Sequence, residues 1–310
     1  MTYMMVQVEN LKKRFGKTEV LRGINFAAPA GSILGVLGPN GAGKSTTINC
    51  LTTLLKPDKG KATIAGYDVV NQPAAVRALI GLTGQFAAVD EELTARENLI
   101  LFGRLLRLSA KQAARRATEL LDQFDLREAA NLRVKKFSGG MRRRLDLAIS
   151  IITEPLVLFL DEPTTGLDPK SRRQLWNIVR SLKERGITIL LTTQYLEEAD
   201  ELADSIVVID RGEVIAKGTA QELKNRVGET VCELQLTDPE DERKVREVLI
   251  DLGEVVGNNT LSLPAPEGVA TLAEVIKRVD KVGVVLTDIS LRRPSLDDVF
   301  FALTGHVTEE

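Results

Sequence analysis

Three groups of residues in this chain could act together on phosphate. The first is Gly38-Pro39-Asn40-Gly41-Ala42-Gly43-Lys44-Ser45-Thr46, set between the apolar run Ile33–Leu37 and the helical pattern Thr46–Leu51. A glycine-rich turn from a buried strand into a helix aims successive backbone N–H groups at phosphate oxygens. Lys44 adds a point charge for the β- and γ-phosphates, and the Ser45 hydroxyl can ligate the accompanying Mg²⁺. The second group is Asp161-Glu162, closing the apolar run Leu156–Leu160. Groups at the C-terminal end of a buried parallel strand face the ligand crevice. Asp161 is placed there to hold Mg²⁺, directly or through water, and Glu162 to polarise a water in line with the γ-phosphate. The third is Phe137-Ser138-Gly139-Gly140-Met141-Arg142-Arg143-Arg144. Serine and two glycines before a helix form another anion-ready N-terminus, weak as a signal by itself. The three arginines after it read ordinarily as a solvated helix face. Phe15 stands in Lys12-Lys13-Arg14-Phe15-Gly16-Lys17; it either stacks on a nucleotide base or packs on its own strand, and the residues alone leave both open.

The phosphate loop by itself leaves kinases, GTPases and motor-type ATPases open, and composition narrows the field. With 310 residues the chain has room for about two domains. Lys plus Arg number 41 and Asp plus Glu 43, which gives no chain-wide electrostatic footprint for nucleic acid, and no nucleic-acid partner is expected. The two cysteines, Cys50 and Cys232, read as buried, reduced thiols. The only histidine is His306, near the C-terminal end, so a histidine zinc site or a Ser–His–Asp triad in the main domain is excluded. The best apolar run, Leu145–Leu160, is broken by Asp146, Glu154 and Pro155 and falls short of the roughly 20 residues a membrane span needs. The N-terminus lacks a basic segment followed by an apolar core, so no signal peptide is expected. Any membrane path must then come from another chain.

The elements around these residues alternate as in an α/β fold. Strands are predicted at Val6–Leu11, Leu21–Ala27, Ile33–Leu37, Lys61–Gly66, Ile80–Thr83, Leu156–Leu160, Ile187–Thr192 and in the hairpin Ser205–Asp210/Glu213–Lys217. From Glu92 to Ile152 apolar residues recur at three- and four-residue spacing, among them Leu99, Phe102, Leu105 and Leu106, which predicts a helical insertion. Past Gly228 the pattern changes. A strand at Val231–Leu236, a helix at Asp241–Leu252, a hairpin of Glu254–Val256 with Thr260–Leu263, a helix at Val269–Val279 and a strand at Val284–Leu291 give βαββαβ, which suggests a ferredoxin-like unit. A last helix, Leu296–Leu303, starts after Pro294-Ser295. The expected architecture is an α/β phosphate-loop NTPase core with a mixed sheet (residues 1–228, helical subdomain about 86–155), then a small α+β regulatory or interaction domain (229–310).

Taken in order, Gly38–Ser45, Gln85, Ser138-Gly139-Gly140, Asp161-Glu162, Thr165-Gly166-Leu167-Asp168 and the position of Gln194 resemble the motifs of ATP-binding-cassette ATPases. Residues 4 to about 226 carry this likeness. More closely, Ser138–Arg144, Leu191–Asp200 and Arg292–Phe300 are similar to the ATPase subunits of daunorubicin-resistance-type exporters, which extends the likeness over the C-terminal domain. The resemblance implies two cassettes, in the simplest case a homodimer, sandwiching two ATP molecules. Each ATP would lie between one subunit's phosphate loop and the other's Ser138-Gly139-Gly140. It further implies that Phe15 stacks on adenine, that Gln85 reaches Mg²⁺ and the attacking water, and that Asp168 sits at the subunit interface. An integral membrane permease supplied by another chain is the expected partner. The expected location is the cytoplasmic face of the membrane, bound through that permease, with the isolated subunit soluble. Two positions depart from the wider family. Met141 replaces the usual Gln, with little expected loss because the anion donors are backbone groups. Gln194 replaces the usual His; its amide can hydrogen-bond a γ-phosphate but cannot change charge, so Glu162 carries the base role alone. The alternative reading is a soluble cassette ATPase or a nucleotide-dependent regulator not coupled to transport.

Overall fold

The computed structural model describes residues 3–84, 88–226, 230–253, 255–257 and 260–304. The chain divides into two compact units, residues 1–220 and 221–310. This division falls ahead of the composition change at Gly228, which itself lies outside the described residues.

The first unit opens with a long hairpin, β1 (Met4–Phe15) and β2 (Thr18–Pro29). Val6, Val8 and Leu11 of β1 and Leu21, Ile24, Phe26 and Ala28 of β2 are buried while most of their neighbours are wet, the alternation of a sheet with one solvated face. β3 (Ile33–Leu37) then leads through the glycine loop into α1 (Lys44–Leu51). β4 (Lys59–Ile64) and the short β5 (Tyr67–Asp68) complete an antiparallel sheet of order β2-β1-β4-β5. Next come α2 (Pro73–Leu79) and β6 (Ile80–Thr83). Three helices follow before the chain returns to a strand: α3 (Ala95–Leu105), α4 (Ala110–Gln123) and α5 (Gly139–Ser150). The first two start in reciprocal capping boxes, Thr94 with Glu97 and Ser109 with Gln112, which satisfy N–H groups that the helix cannot. β7 (Val157–Asp161), α6 (Pro169–Glu184), β8 (Thr188–Thr193), α7 (Leu196–Leu202), β9 (Ser205–Asp210) and β10 (Glu213–Gly218) complete the first unit, and α8 (Ala220–Asn225) starts on its last residue.

The second sheet has the order β10-β9-β3-β8-β7-β6, parallel except for the antiparallel edge pair β10–β9. Its central strands β3, β7 and β8 are buried along their whole length because both faces are covered. Along β7, Val157 and Phe159 pack with α1 and the first sheet, while Leu158 and Leu160 pack with the helices. Along β8, Leu190 goes to the first core and Ile189 and Leu191 to the second. The two-residue period of a strand thus feeds two cores from one continuous run. Phe124 is fully buried in the helix-side core. Phe124→Ala is expected to cost about 3–5 kcal/mol of stability, read as a shifted denaturant midpoint; a loss under about 1 kcal/mol would contradict this packing.

The second unit contains β11 (Val231–Leu236), α9 (Glu242–Leu249), β12 (Thr260–Pro264), α10 (Val269–Lys281), β13 (Leu286–Arg292) and α11 (Leu296–Thr304). Its sheet is antiparallel, in the order β12-β11-β13. The expected second strand of a βαββαβ plan is reduced, among the described residues, to one bridge between Val256 and Ser262. Val256 is 52 % exposed, so little apolar burial favours a longer ladder there. The α11 start matches its signal: Ser295 Oγ accepts from Asp298 N at 3.1 Å, and Asp298 Oδ2 accepts from Ser295 N at 2.8 Å.

Candidate active site

Parallel strands end on one edge of the sheet, and the order of the strands decides which ends are neighbours. β8 lies between β3 and β7, with Thr192 in register with Val36 on one side and Asp161 on the other. The glycine loop, Asp161-Glu162 and Gln194 therefore leave the sheet at the same edge, where α/β folds place ligands.

The loop itself requires unusual backbone. Gly43, at the N-terminus of α1, has φ +109, a conformation that L side chains rarely adopt. It lets the loop turn so that the Lys44 side chain folds back over it. Lys44 Nζ donates to the carbonyls of Gly38 at 2.7 Å and Pro39 at 3.1 Å and lies 3.4 Å from Glu162 Oε1. Lys44 is 4 % exposed. Burial pushes its pKa below the ordinary lysine value, and the Glu162 carboxylate opposes that shift in part. Ser45 Oγ donates to Asp161 Oδ1 at 3.1 Å, and Thr192 Oγ1 donates to the same oxygen at 2.5 Å. Glu162 has φ +48. Its N–H is shared between Thr192 O and Thr192 Oγ1, both at 3.1 Å. A cleft of about 290 Å³ opens here, lined by Val20, Asn40, Gly41, Gly43, Lys44, Ser45, Thr46 and Glu162. One cation, loop N–H groups, a hydroxyl–carboxylate pair and a second carboxylate thus converge on one small space. That set can bind a polyphosphate and polarise a water against it.

The other predicted residues stand elsewhere. Ser138 caps α5 by accepting from Met141 N at 3.2 Å, and Ser138 and Gly139 are exposed. Gly140 is buried; a Cβ there would lie 2.4 Å from Ser171 Oγ, so only glycine allows α5 this close to α6. Ser171 in turn donates to Asp168 through its N–H at 3.0 Å and its hydroxyl at 2.6 Å. These bonds hold the exposed Asp168 carboxyl below its ordinary pKa. Ser138, Gly139, Gly140 and Asp168 form a second cluster outside the lining of the Lys44 cleft. Phe15, at the end of β1, is 48 % exposed with the Lys13 ammonium 5.6 Å from its ring centre. It does not line the cleft, whereas Val20 on the paired strand does. Gln194 is half-buried just past β8, where the chain is turned by Tyr195 N donating to Thr193 Oγ1 at 2.9 Å. Behind it Glu198 is fully buried and accepts from the Trp176 indole at 3.1 Å; burial pushes its pKa up. Gln85 lies outside the described residues.

Two contributors escaped the sequence reading. Thr192 holds both Asp161 and the Glu162 backbone, but as one hydroxyl in a buried run its partner depends on strand order. Arg143 is 8 % exposed, against the expectation of a solvated arginine face. The other two arginines are tied as well, Arg142 to Glu91 at 2.9 Å and Arg144 to Asp125 at 3.1 Å. The signal available for Arg143 was Asp146 three residues on, flanked by Leu145 and Leu147.

Comparison with known proteins gives the family. The ABC transporter family profile matches residues 21–165, and that of the ATP-binding protein DrrA1-3-like C-terminal domain matches residues 218–304. The daunorubicin resistance ATP-binding protein DrrA2 of Streptomyces coeruleorubidus is 53 % identical over 309 residues, covering 98 % of this chain and 96 % of that protein. The doxorubicin resistance ATP-binding protein DrrA of Mycobacterium tuberculosis is 48 % identical over 318 residues, covering 99 % and 95 %. Among solved structures, a dimeric ATP-binding cassette in a post-hydrolysis state with ADP and Pi matches with a TM-score of 0.63 and 27 % identity, covering 69 % of this chain and 98 % of that one. Likeness of this depth over nearly the full length settles the family: the chain belongs to the ATP-binding-cassette transporter ATPases, among the DrrA-like ATP-binding proteins.

Proposed function

We propose that this ATPase drives export of an amphipathic drug or lipid through a separate integral membrane permease, docked on the cytoplasmic face of the membrane. The observation that carries the reading is the likeness to drug-resistance ATP-binding proteins across both units, 53 % identity over 98 % of the chain in one case. Among the described residues no helix is long and apolar enough to cross a membrane, which fits a path supplied by another chain. Residues 1–228 act as the nucleotide-binding domain and 229–310 as a regulatory or interaction domain.

The working unit is a pair of cassettes, in the simplest case two copies of this chain, with ATP between one copy's Gly38–Thr46 loop and the other's Ser138-Gly139-Gly140. The exposed helix start, placed away from its own chain's cleft, suits that use. Asp168 lies at the interface beside it. Phe15 stacks on adenine at the turn end of the β1–β2 hairpin, and Gln194 hydrogen-bonds the γ-phosphate. Gln85 reaches the metal and the attacking water. Glu162 accepts the water's proton.

Mg²⁺ fits the residues present. Among the described residues no group of three or more His, Cys, Asp or Glu could cage a metal. Mg²⁺ needs no such cage: it keeps several waters and takes one or two protein oxygens plus phosphates. Ser45 Oγ and Asp161 Oδ1, 3.1 Å apart, are a donor set of that kind. When bound there, the ion neutralises charge on the phosphate oxygens.

The test is ATP hydrolysis by the purified chain, alone and with membranes carrying its co-expressed permease. Turnover that rises with the permease supports a transport motor. Tight ATP binding without hydrolysis in either setting would make the chain a nucleotide sensor and overturn the transport reading.

A further inference from the structure

Arg143 lies in the first turns of α5, the helix that Ser138-Gly139-Gly140 begins. All five of its N–H donors have acceptors. Nε donates to Pro163 O at 2.8 Å, Nη1 to Gly84 O at 2.6 Å and towards Asp146 Oδ2 at 3.5 Å, and Nη2 to Asp161 O at 3.2 Å and Glu162 O at 3.3 Å. Asp146, its buried counter-ion, is itself fixed by Ala88 N at 3.0 Å. A planar guanidinium can reach acceptors spread around its rim; an ammonium offers three donors from one point.

Three of these acceptors are consecutive carbonyls that bracket Glu162. That residue has φ +48, a left-handed conformation disfavoured for any residue with a Cβ. Its N–H is held from the opposite side by Thr192. With the backbone held on these groups, the direction in which the Glu162 side chain leaves the chain is set, and from there its carboxylate lies 3.4 Å from Lys44 Nζ.

We propose that Arg143 is a positioning residue for ATP hydrolysis. It clamps the carbonyls of residues 161–163, holds Glu162 in its left-handed backbone, and ties the water-polarising geometry of one nucleotide site to the seating of the helix that serves the other. This rests on the role given above to Glu162 and on the paired cassettes. It differs from a role in binding: Arg143 touches no residue of the Gly38–Thr46 loop in any of its hydrogen bonds.

The test compares full-length wild type, Arg143→Lys and Arg143→Gln, each also in a Glu162→Gln background. Three quantities are read: single-turnover ATP cleavage, ATP affinity and backbone amide exchange. The expected result is cleavage slowed about 10- to 100-fold, the effect of a small misplacement of a reacting group. ATP affinity stays within about twofold, so the loss is in the chemical step and not in binding. Exchange rises across residues 161–165 and not across 38–44. In the Glu162→Gln background neither Arg143 variant slows cleavage further, because the two residues act as one unit. Cleavage within about twofold of wild type in both variants, or an equal fold loss in the two backgrounds, would overturn the proposal. So would unchanged exchange at 161–165, or loss of ATP binding in both variants, which would mark Arg143 as merely structural. Failure of the Glu162 reading shows separately, as wild-type cleavage in Glu162→Gln alone.

Discussion

Glu162→Gln is expected to keep ATP bound while lowering hydrolysis about 10²–10⁴-fold, the range for removing a positioned general base. The amide has the shape of the carboxylate, so the backbone contacts to Thr192 and Arg143 survive. What disappears is the ability to take a proton from water. Gln194 cannot substitute, since an amide does not ionise near neutral pH. Binding should hold or tighten, because the Lys44 ammonium, now 3.4 Å from the Glu162 carboxylate, is released to the phosphates. With cleavage blocked, ATP should accumulate between two copies, seen as a doubling of mass by size-exclusion light scattering when ATP is added. Unchanged steady-state hydrolysis would sink the assignment of Glu162.

Lys44→Ala should weaken ATP binding about 100- to 1,000-fold, from loss of charge-assisted contacts worth roughly 1.5–3 kcal/mol each. Isothermal titration would read it directly; an affinity within about threefold of wild type would remove Lys44 from the phosphate site. The same residue sets an alkaline limit. Burial lowers its pKa from 10.5, with Glu162 opposing. Between that depressed value and the ordinary one the unfolded chain holds the proton more tightly than the folded chain, so this group's contribution to stability rises with pH across the window. ATP affinity runs the other way. The phosphates need the charged form, so binding weakens as pH climbs through the depressed value, on the acid side of 10.5. Lys44→Ala should lack that limb. An affinity for ATP that is flat up to 10.5 would contradict the burial argument.

Much of this was legible because the chemistry is local. A glycine loop between strand and helix is a contiguous pattern, and its φ-positive turn and helix start lie within one short stretch. Likewise Asp161-Glu162 sit at the end of the strand that presents them, and capping residues such as Ser138 and Ser295 act on N–H groups only three residues away. The division of labour between β7's alternate residues was not legible. A continuous apolar run says that both faces are covered but not by what. The C-terminal unit shows a second limit. Its helices and outer strands followed their periodicity, yet the segment ending at Val256 kept a single bridge, because apolar letters alone do not say whether an edge residue gains any burial.

Arg143, Thr192 and Gly140 mark the boundary most clearly. In the sequence they are one arginine of three, a threonine in a buried run and a glycine in a common loop. Sequence by itself marked out the glycine loop and the Asp161-Glu162 pair, since their spacing along the backbone fixes the turn and the strand end that carry them. Only the tertiary structure decided what holds those groups in place. Placing β8 between β3 and β7 sets Thr192 against Asp161 and Glu162, and packing α5 against the end of β7 puts the Arg143 guanidinium under three carbonyls some twenty residues further along the chain. Such contacts depend on strand order and on helix approach, and these follow from the burial of two whole cores, to which no single stretch of residues contributes enough to be read alone.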